Sequence, residues 1–201
     1  MAIKFQYNKT SHQLLEKQLK VRLRTLPIIK SKESALRVEV KKCKVEVKTL
    51  EVSLEKQIQA YEAMFALWNE FDSSLIKVKD VHLGIKKIAG VRVPLLEGLD
   101  FEIKPFSLFT TPKWFSDGIL ILKQLAQTAI EREFMMAKLN LLEHARKKTT
   151  QKVNLFEKVQ IPGYEDALRK IKRFMEDEEN LSKSSQKILK SIQEKRKGDE
   201  V

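Results

Sequence analysis

Apolar residues recur along the first third of the chain at alternating steps of four and three residues. Starting at Leu15, sixteen of the nineteen positions reached by these steps are apolar, and the exceptions are Arg22, Glu33 and Gln57. An apolar heptad kept in one phase over this length is typical of a coiled-coil helix. The pattern therefore predicts a helix over about residues 12–78.

Part of the same stretch also alternates in the manner of a β-strand. Its valines (Val38, Val40, Val45 and Val47) are β-branched and favour strand. However, the chain has no glycine or proline between residues 28 and 83 that would turn it, and a single strand of that length would be far longer than strands in proteins usually are. The helix is therefore preferred.

A second long apolar pattern covers about residues 113–197 and changes its frame once. The earlier frame contains Leu122, Leu125, Ala129, Met136 and Leu139. The later frame contains Ile161, Tyr164, Leu168, Ile171, Met175, Leu189 and Ile192. A frame change of this kind indicates local unwinding or overwinding of a coiled coil. We expect a second long helix with one irregularity between residues 139 and 161.

Between the two patterns lies a connector that is rich in helix breakers. Seven of the eleven glycines and prolines lie within residues 84–118. Short alternating runs on both sides of Gly98 predict a β-hairpin over about residues 84–104, with its turn at Gly98. Thr110, Thr111 and Pro112 then predict the start of the second helix, with a threonine cap and proline in the first turn.

These elements together predict an all-α fold, a long antiparallel two-helix coiled coil with a short β-hairpin connector at one end. Its single elongated domain divides into a first helix (1–83), a connector (84–111) and a second helix (112–201). In such a pair, facing residues have numbers that sum to about 190. Pro27 then lies opposite Pro162 and Gly163, and we expect a shared bend there, because each proline removes a helical hydrogen bond.

Composition and charge narrow the functional classes. The net charge is +12, carried by the terminal thirds: residues 1–60 contribute +8, residues 61–120 −1 and residues 121–201 +5. A basic surface fits an acidic partner. The chain lacks an apolar run long enough to span a bilayer and an apolar signal core, and its single cysteine, Cys43, suits a reducing compartment. We expect a soluble cytoplasmic protein.

Residues that would carry catalysis or hold a cofactor do not form a recognisable motif. Neither a phosphate-binding glycine loop nor a dinucleotide-binding glycine motif occurs. His12, His82 and His144 lack metal-ligand spacing, and Cys43 lies on the heptad seam, where a small core residue is the simpler interpretation. We expect a chain that is not an enzyme and has no metal, cofactor or catalytic residue.

Three segments resemble one family, the D subunits of V/A-type rotary ATPases. The N-terminal segment contains Asn-Lys-Thr at 8–10, a Leu/Lys helix and Ile-Ile-Lys-Ser-Lys-Glu-Ser-Ala-Leu at 28–36. The connector segment is Gly-Val-Arg-Val-Pro at 90–94. The third segment, at 152–162, is similar to the family's Val-Asn and Ile-Pro run and contains Val153, Asn154, Glu157, Ile161 and Pro162. Gln151-Lys152 in place of paired arginines, Leu155-Phe156 in place of Ala-Leu, and Pro27 mark a divergent member.

The resemblance implies a non-catalytic rotor shaft in the central stalk. In the family, the coiled-coil tip lies inside a hexamer of A and B subunits, and the lower part contacts the F subunit and the protein that caps the membrane rotor ring. The shaft transmits torque, and the complex is peripheral to the membrane on its cytoplasmic side. The resemblance implies stator-facing basic residues at the tip, namely Arg22, Arg24, Lys30, Lys32, Lys183, Lys187 and Lys190. It also implies a coupling segment at the connector, namely Gly90, Val91, Val93 and Pro94.

Two other interpretations of a long coiled coil stay open at this point. A nucleic-acid-associated coiled coil would bind with an affinity that falls steeply with salt. The stalk of a type III export ATPase would also place a coiled coil inside an ATPase hexamer, but would lack the connector and the Val-Asn and Ile-Pro segments present here. The rotary shaft, which requires no nucleic acid and no membrane insertion, is the preferred hypothesis.

Overall fold

The computed structural model describes residues 3–62, 65–107 and 111–199. It confirms the predicted fold class of long helices with a two-stranded antiparallel hairpin. Packing divides the chain into two compact units, Met1–Ser31 with Thr150–Val201, and Lys32–Thr149. In chain order the elements are α1 (Lys9–Tyr61), α2 (Phe65–Trp68), β1 (Ile76–Ile88), β2 (Val91–Ile103), α3 (Phe115–Leu155), a π-helical segment (Phe156–Gln160) and α4 (Ile161–Asp199).

Within each unit the paired helices run antiparallel. In the unit Lys32–Thr149, Lys44 of α1 pairs with Glu143 of α3 at 2.7 Å, and further along α1 Glu51 pairs with Arg132 at 3.6 Å. In the other unit, Arg22 bonds to Gln160 and Lys30 to Glu157. Residue numbers fall on the second helix as they rise on the first, as the sequence predicts.

The heptad positions of α1 form the core of the unit Lys32–Thr149. Leu36, Val40, Cys43 and Val47 are each at most 4 % exposed. They pack against Leu139 and Leu142 of α3 and Val93 of β2. Cys43 is a buried core residue, and burial raises the pKa of its thiol. The coiled-coil seam predicted from the sequence is confirmed over this stretch.

The hairpin is longer than predicted and turns at a different place. Its strands extend over residues 76–88 and 91–103, and the turn is formed by Ala89 and Gly90. Both turn residues have positive φ, 47° and 78°, which matches a two-residue type I′ turn. The predicted turn at Gly98 is therefore wrong. Gly98 lies within β2 opposite His82, next to a β-bulge at which the register shifts.

The first helix ends earlier than its heptad pattern predicts. α1 ends at Tyr61, and the chain then forms α2, a 3-10 turn at Ser73–Leu75 and strand β1 from Ile76. The predicted continuation of the helix to residue 78 is wrong, although no glycine or proline marks its end. The predicted partition into domains at 83/84 and 111/112 stays a prediction.

The second helix begins at Phe115, three residues after the proline that the sequence places in its first turn. The Phe115 N–H donates to the Pro112 carbonyl at 3.1 Å, so Pro112 lies in the turn before the helix. The predicted start at Pro112 is wrong. Thr111, the predicted cap directly before that proline, lies four residues before the helix, and Thr110 lies outside the described residues.

The frame change predicted in the second helix has a structural cause. The residues Phe156–Gln160 form a π-helical segment, and the Ile161 N–H donates to the Phe156 carbonyl five residues back. One extra residue in a turn rotates the following apolar positions by about 100°. The wider turn also relieves the clash that the Pro162 ring would make with the preceding carbonyls in a regular α-helix. The irregularity between residues 139 and 161 is confirmed.

The unit Met1–Ser31 with Thr150–Val201, which contains the π-helical segment, has its own core. Leu15 of α1 packs against Tyr164, Ala167 and Ile171 of α4, and Ile3 packs against the same cluster. α1 continues through Pro27 as one helix. The shared bend at Pro27 and Pro162 stays a prediction.

Candidate functional site

The described residues contain no group of three or more histidines, cysteines or carboxylates placed to hold a metal ion. Within those same residues, no helix is long and apolar enough to cross a membrane. The residues predicted from the sequence fall into three groups: the basic residues, the segment around residues 153–162 and the hairpin.

Arg22, which interrupts the apolar heptad, is half-buried and contacts residues of the second helix. Its guanidinium stacks over the Tyr164 ring at 4.3 Å, its Nε donates to Gln160 at 2.9 Å, and a terminal nitrogen donates to the Gln18 carbonyl at 3.1 Å. A cation over an aromatic face can replace an apolar side chain in a seam, because the ring attracts the charge while covering it. These contacts explain how the coiled coil tolerates arginine at this position.

The other predicted basic residues are exposed to solvent, and three of them have partners or close neighbours. Lys30 pairs with Glu157 at 2.8 Å and Lys183 with Glu179 at 2.7 Å, which lowers the pKa of Glu179. The Lys32 ammonium lies beside the hairpin turn, only 3.3 Å from where a Cβ on Gly90 would be. Lys32 is therefore near the connector. Arg24, Lys187 and Lys190 are exposed.

The segment at residues 153–162 contributes to the helix pair through some of its members. Ile161 is 9 % exposed and Val153 is half-buried, whereas Asn154 and Pro162 face solvent. Glu157 reaches across to Lys30 of α1. The structure therefore gives Glu157 a contact with α1, buries Ile161, and leaves Asn154 exposed on the surface.

The connector residues divide between the two faces of the hairpin. Val93 is 1 % exposed and packs on α1 and α3, together with the half-buried Val91. Gly90 supplies the positive φ of the turn. Pro94 pairs with Ile85 on the opposite face of the sheet, where Ile85 is 76 % exposed. The hairpin is thus anchored by valines, and its outer face is available to a partner.

The last part of α4 is a feature that the sequence-based site prediction missed. Every residue from 176 to 195 is exposed, and α1 begins only at Lys9. Four large apolar side chains lie in this exposed stretch, namely Leu181, Ile188, Leu189 and Ile192. Leu181, Ile188 and Ile192 are seven and four residues apart, so they share one face of the helix. The later apolar frame of the sequence contains Leu189 and Ile192 of this stretch but neither Leu181 nor Ile188.

An aromatic cluster near the start of α3 was also missed. The rings of Trp68, Phe71, Trp114 and Phe115 lie with centroids 4.9–5.7 Å apart in edge-on and tilted geometries. A Cβ on Gly118 would lie 3.1 Å from the Trp114 ring, so the helix needs a small residue there. Aromatic rings in such geometries add stability beyond the area they bury. Trp68 and Phe71 continue the heptad phase of α1, so the sequence pattern placed them on a helix seam and did not reveal the cluster.

His82 of β1 and Asp100 of β2 form an ion pair across the hairpin. Asp80 lies directly opposite Asp100 in the sheet register. The His82 Nε2 lies 2.9 Å from the Asp100 carboxylate. This hydrogen bond, with the charges of Asp100, Asp80 and Glu97, raises the pKa of His82 above its usual value of 6.5. A protonated His82 offsets the repulsion between the two facing carboxylates.

We expect the hairpin to be more stable at a pH below 6.5 than above the raised pKa of His82, because the pair loses its charge as pH rises through that value. Titration of the His82 ring signals by NMR should give a midpoint above 6.5. The variant Asp100→Asn should move the midpoint down. An unchanged midpoint in that variant would mean that Asp100 does not cause the shift.

Comparison with known proteins identifies the family of this chain. Residues 11–191 match the model of the family described as the D subunit of ATP synthase. The chain belongs to the ATP synthase D-subunit family. Among its relatives, the V-type ATP synthase D subunit of Borreliella burgdorferi is 33 % identical over 87 % of this chain and 87 % of the relative. The one of Chlamydia pneumoniae is 30 % identical over 100 % and 99 % of the two chains. The resemblance found in the sequence is confirmed.

Proposed function

We propose that this chain is the central-stalk rotor shaft of a V/A-type ATPase. In this role it transmits torque between a catalytic hexamer of A and B subunits and the membrane rotor ring, and performs no catalysis itself. Membership of the D-subunit family over residues 11–191 supports the assignment. The complex would lie on the cytoplasmic side of the membrane and peripheral to it.

The observation that carries this proposal is the uncovered end of α4. Residues 176–195 expose an apolar stripe of Leu181, Ile188 and Ile192 to solvent. An amphipathic helix of this kind is stabilised by a partner that covers its apolar face. Lys187 and Lys190 flank the stripe and favour an acidic rim on that partner. We infer that this segment enters the A/B hexamer, and that the predicted stator-facing lysines of α4 contact it.

The other surfaces are assigned to the remaining partners. The hairpin around Gly90–Pro94 is proposed to tune coupling and to lie near the F subunit, because it presents exposed residues on a firmly packed support. The aromatic cluster, with exposed Leu67 and Leu120 nearby, is proposed to seat on the protein that caps the rotor ring. Large exposed apolar side chains near half-buried tryptophans are typical of protein interfaces.

The test is an affinity pull-down of the N-terminally tagged chain from native membranes, followed by mass spectrometry. We expect the unaltered chain to recover the A, B and F subunits. The triple variant Leu181→Ser, Ile188→Ser, Ile192→Ser should lose the A and B subunits at least about tenfold and keep the F subunit, because it removes apolar contact only at the α4 end. Its thermal midpoint should not change, since all three side chains are exposed.

A matched charge variant, Lys183→Ala, Lys187→Ala, Lys190→Ala, separates apolar contact from charge. It should slow association and increase its salt sensitivity with a smaller loss of the A and B subunits. Full recovery of the A and B subunits by the serine variant would refute insertion of this segment. Recovery of nucleic acid without any component of the ATPase would refute the shaft itself.

A further inference from the structure

Strand β1 is the outer strand of the hairpin. Strand β2 lines a groove of about 670 Å³ together with residues of α1 and α3, and no described residue of β1 takes part in that groove. In β1, Leu83 is 56 % and Ile85 is 76 % exposed. The backbone hydrogen bonds found outside helices and strands in the described part of the chain involve no residue of β1 from 76 to 88. The outer edge of β1 is therefore open.

The register shows which backbone groups point outward along this edge. A two-residue turn makes Ile88 and Val91 a hydrogen-bonded pair, and such pairs then alternate along an antiparallel ladder. Lys86 and Gly84 consequently bond to β2. The N–H and C=O groups of Leu83, Ile85 and Lys87 point away from β2.

The two edges of the hairpin differ in how they are protected. On β2, the residue opposite Ile85 is Pro94, which has no N–H and so interrupts the edge as a template for pairing. β1 has no proline, and residues 83–88 are in continuous register between the bulge at His82 and the turn. The β1 edge can therefore accept a further strand over residues 83–88.

The charges along this edge indicate what would bind there. Residues 83–95 contain three basic side chains, Lys86, Lys87 and Arg92, and no acidic one, and the Glu97 carboxylate of β2 lies over Gly84, so basic groups outnumber acidic ones along this segment by three to one. Ile85 and Leu83 provide apolar contact on the outer face. We propose that β1 is a strand-addition site for an extended acidic segment of a partner protein, which pairs with the backbone of Leu83, Ile85 and Lys87. The site goes beyond the proposed function, since it rests on the hairpin alone.

The test uses the full-length ¹⁵N-labelled chain and a capped hexapeptide of alternating glutamate and valine as the probe. We expect saturating peptide to slow hydrogen exchange at the amides of Leu83, Ile85 and Lys87 by at least about tenfold, because these amides gain partners. The amides of Gly84, Lys86 and Ile88 should change little, since they already bond to β2. The matching lysine–valine peptide should bind much more weakly.

Two variants separate backbone pairing from side-chain contact. Ile85→Pro removes one outward donor and leaves the ladder intact, because its position mirrors that of Pro94. It should abolish the slowing, whereas Ile85→Val, which keeps the N–H, should retain it. If Ile85→Pro loosens the hairpin, Lys87→Pro tests the same edge one pair further along.

Several results would overturn the proposal. Uniform or absent slowing across residues 83–88 would exclude strand addition, and an unaffected Ile85→Pro variant would show that only side chains bind. Equal binding of the lysine peptide would refute the charge argument. Slowing that appears at higher protein concentration without peptide would assign the edge to a second copy of this chain instead.

Discussion

Replacing Leu142 with alanine is expected to lower the free energy of unfolding by about 2–5 kcal/mol. The Leu142 side chain is 0 % exposed and packs among Leu36, Val40 and Cys43 from α1. Removing three carbons loses transfer free energy and leaves a cavity, because two long helices cannot close together around one missing side chain. Urea unfolding followed by circular dichroism at 222 nm measures the change.

The neighbouring residue provides a matched control for this effect. Leu141 has the same side chain on the same helix but is 46 % exposed. Leu141→Ala should cost less than about 1 kcal/mol, because alanine has the higher helix propensity and little buried area is lost. Equal destabilisation by the two variants would show that the seam through Leu142 does not carry the stability of this unit.

The sequence predicted the helices of this fold well, because a heptad records which side of a helix is buried. The heptad predicts four consecutive buried positions in α1, and all four are buried, namely Leu36, Val40, Cys43 and Val47. The frame change also correctly predicted a local irregularity in the second helix, since a π-helical segment lies between the two frames. Periodicity thus determined both the seam and its one irregularity.

The helix ends were predicted poorly, for a physical reason. α1 ends at Tyr61 without a glycine or proline, and apolar residues continue in phase to Val78. The later ones instead pack as an aromatic cluster and a strand, where tertiary contacts outweigh local pattern. The turn was misplaced similarly, because Ala89-Gly90 is a weaker turn signal than a glycine between two alternating runs.

For the candidate surfaces, as for the helices, the sequence indicates some features and only the structure shows the others. Resemblance to the family singles out residues 89–94 and 152–162, but it does not reveal which of them anchor the hairpin or the helix pair. Only the structure shows that Val93 holds the hairpin down while Ile85 is exposed, and that Arg22 is enclosed by Tyr164 and Gln160. Exposure depends on which elements pack together, and a single-chain pattern cannot distinguish a covered apolar face from an uncovered one.

Because Val93 lies on the buried face of the hairpin, we expect the substitution Val93→Asp to release the hairpin from the helices. Val93 is 1 % exposed and contacts apolar residues of α1 and α3. An unpaired carboxylate buried there is expected to cost at least about 3 kcal/mol. Hydrogen exchange of the β1 and β2 amides, measured beside urea unfolding, should show faster exchange throughout the hairpin, with less change at the seam residues of α1.

The matched control for that substitution lies on the opposite face of the same hairpin. Ile85→Asp places the same carboxylate at a side chain that is 76 % exposed, so it should change unfolding by less than about 1 kcal/mol. The defect of Val93→Asp should also shrink as pH falls through the raised pKa of the new carboxyl and reach its minimum near pH 4, about the ordinary aspartate pKa, because burial raises the pKa of the carboxyl in the folded chain and protonation removes its charge. Equal effects of the two variants, or a defect in Val93→Asp that is independent of pH, would mean that the hairpin is not held by burial of Val93.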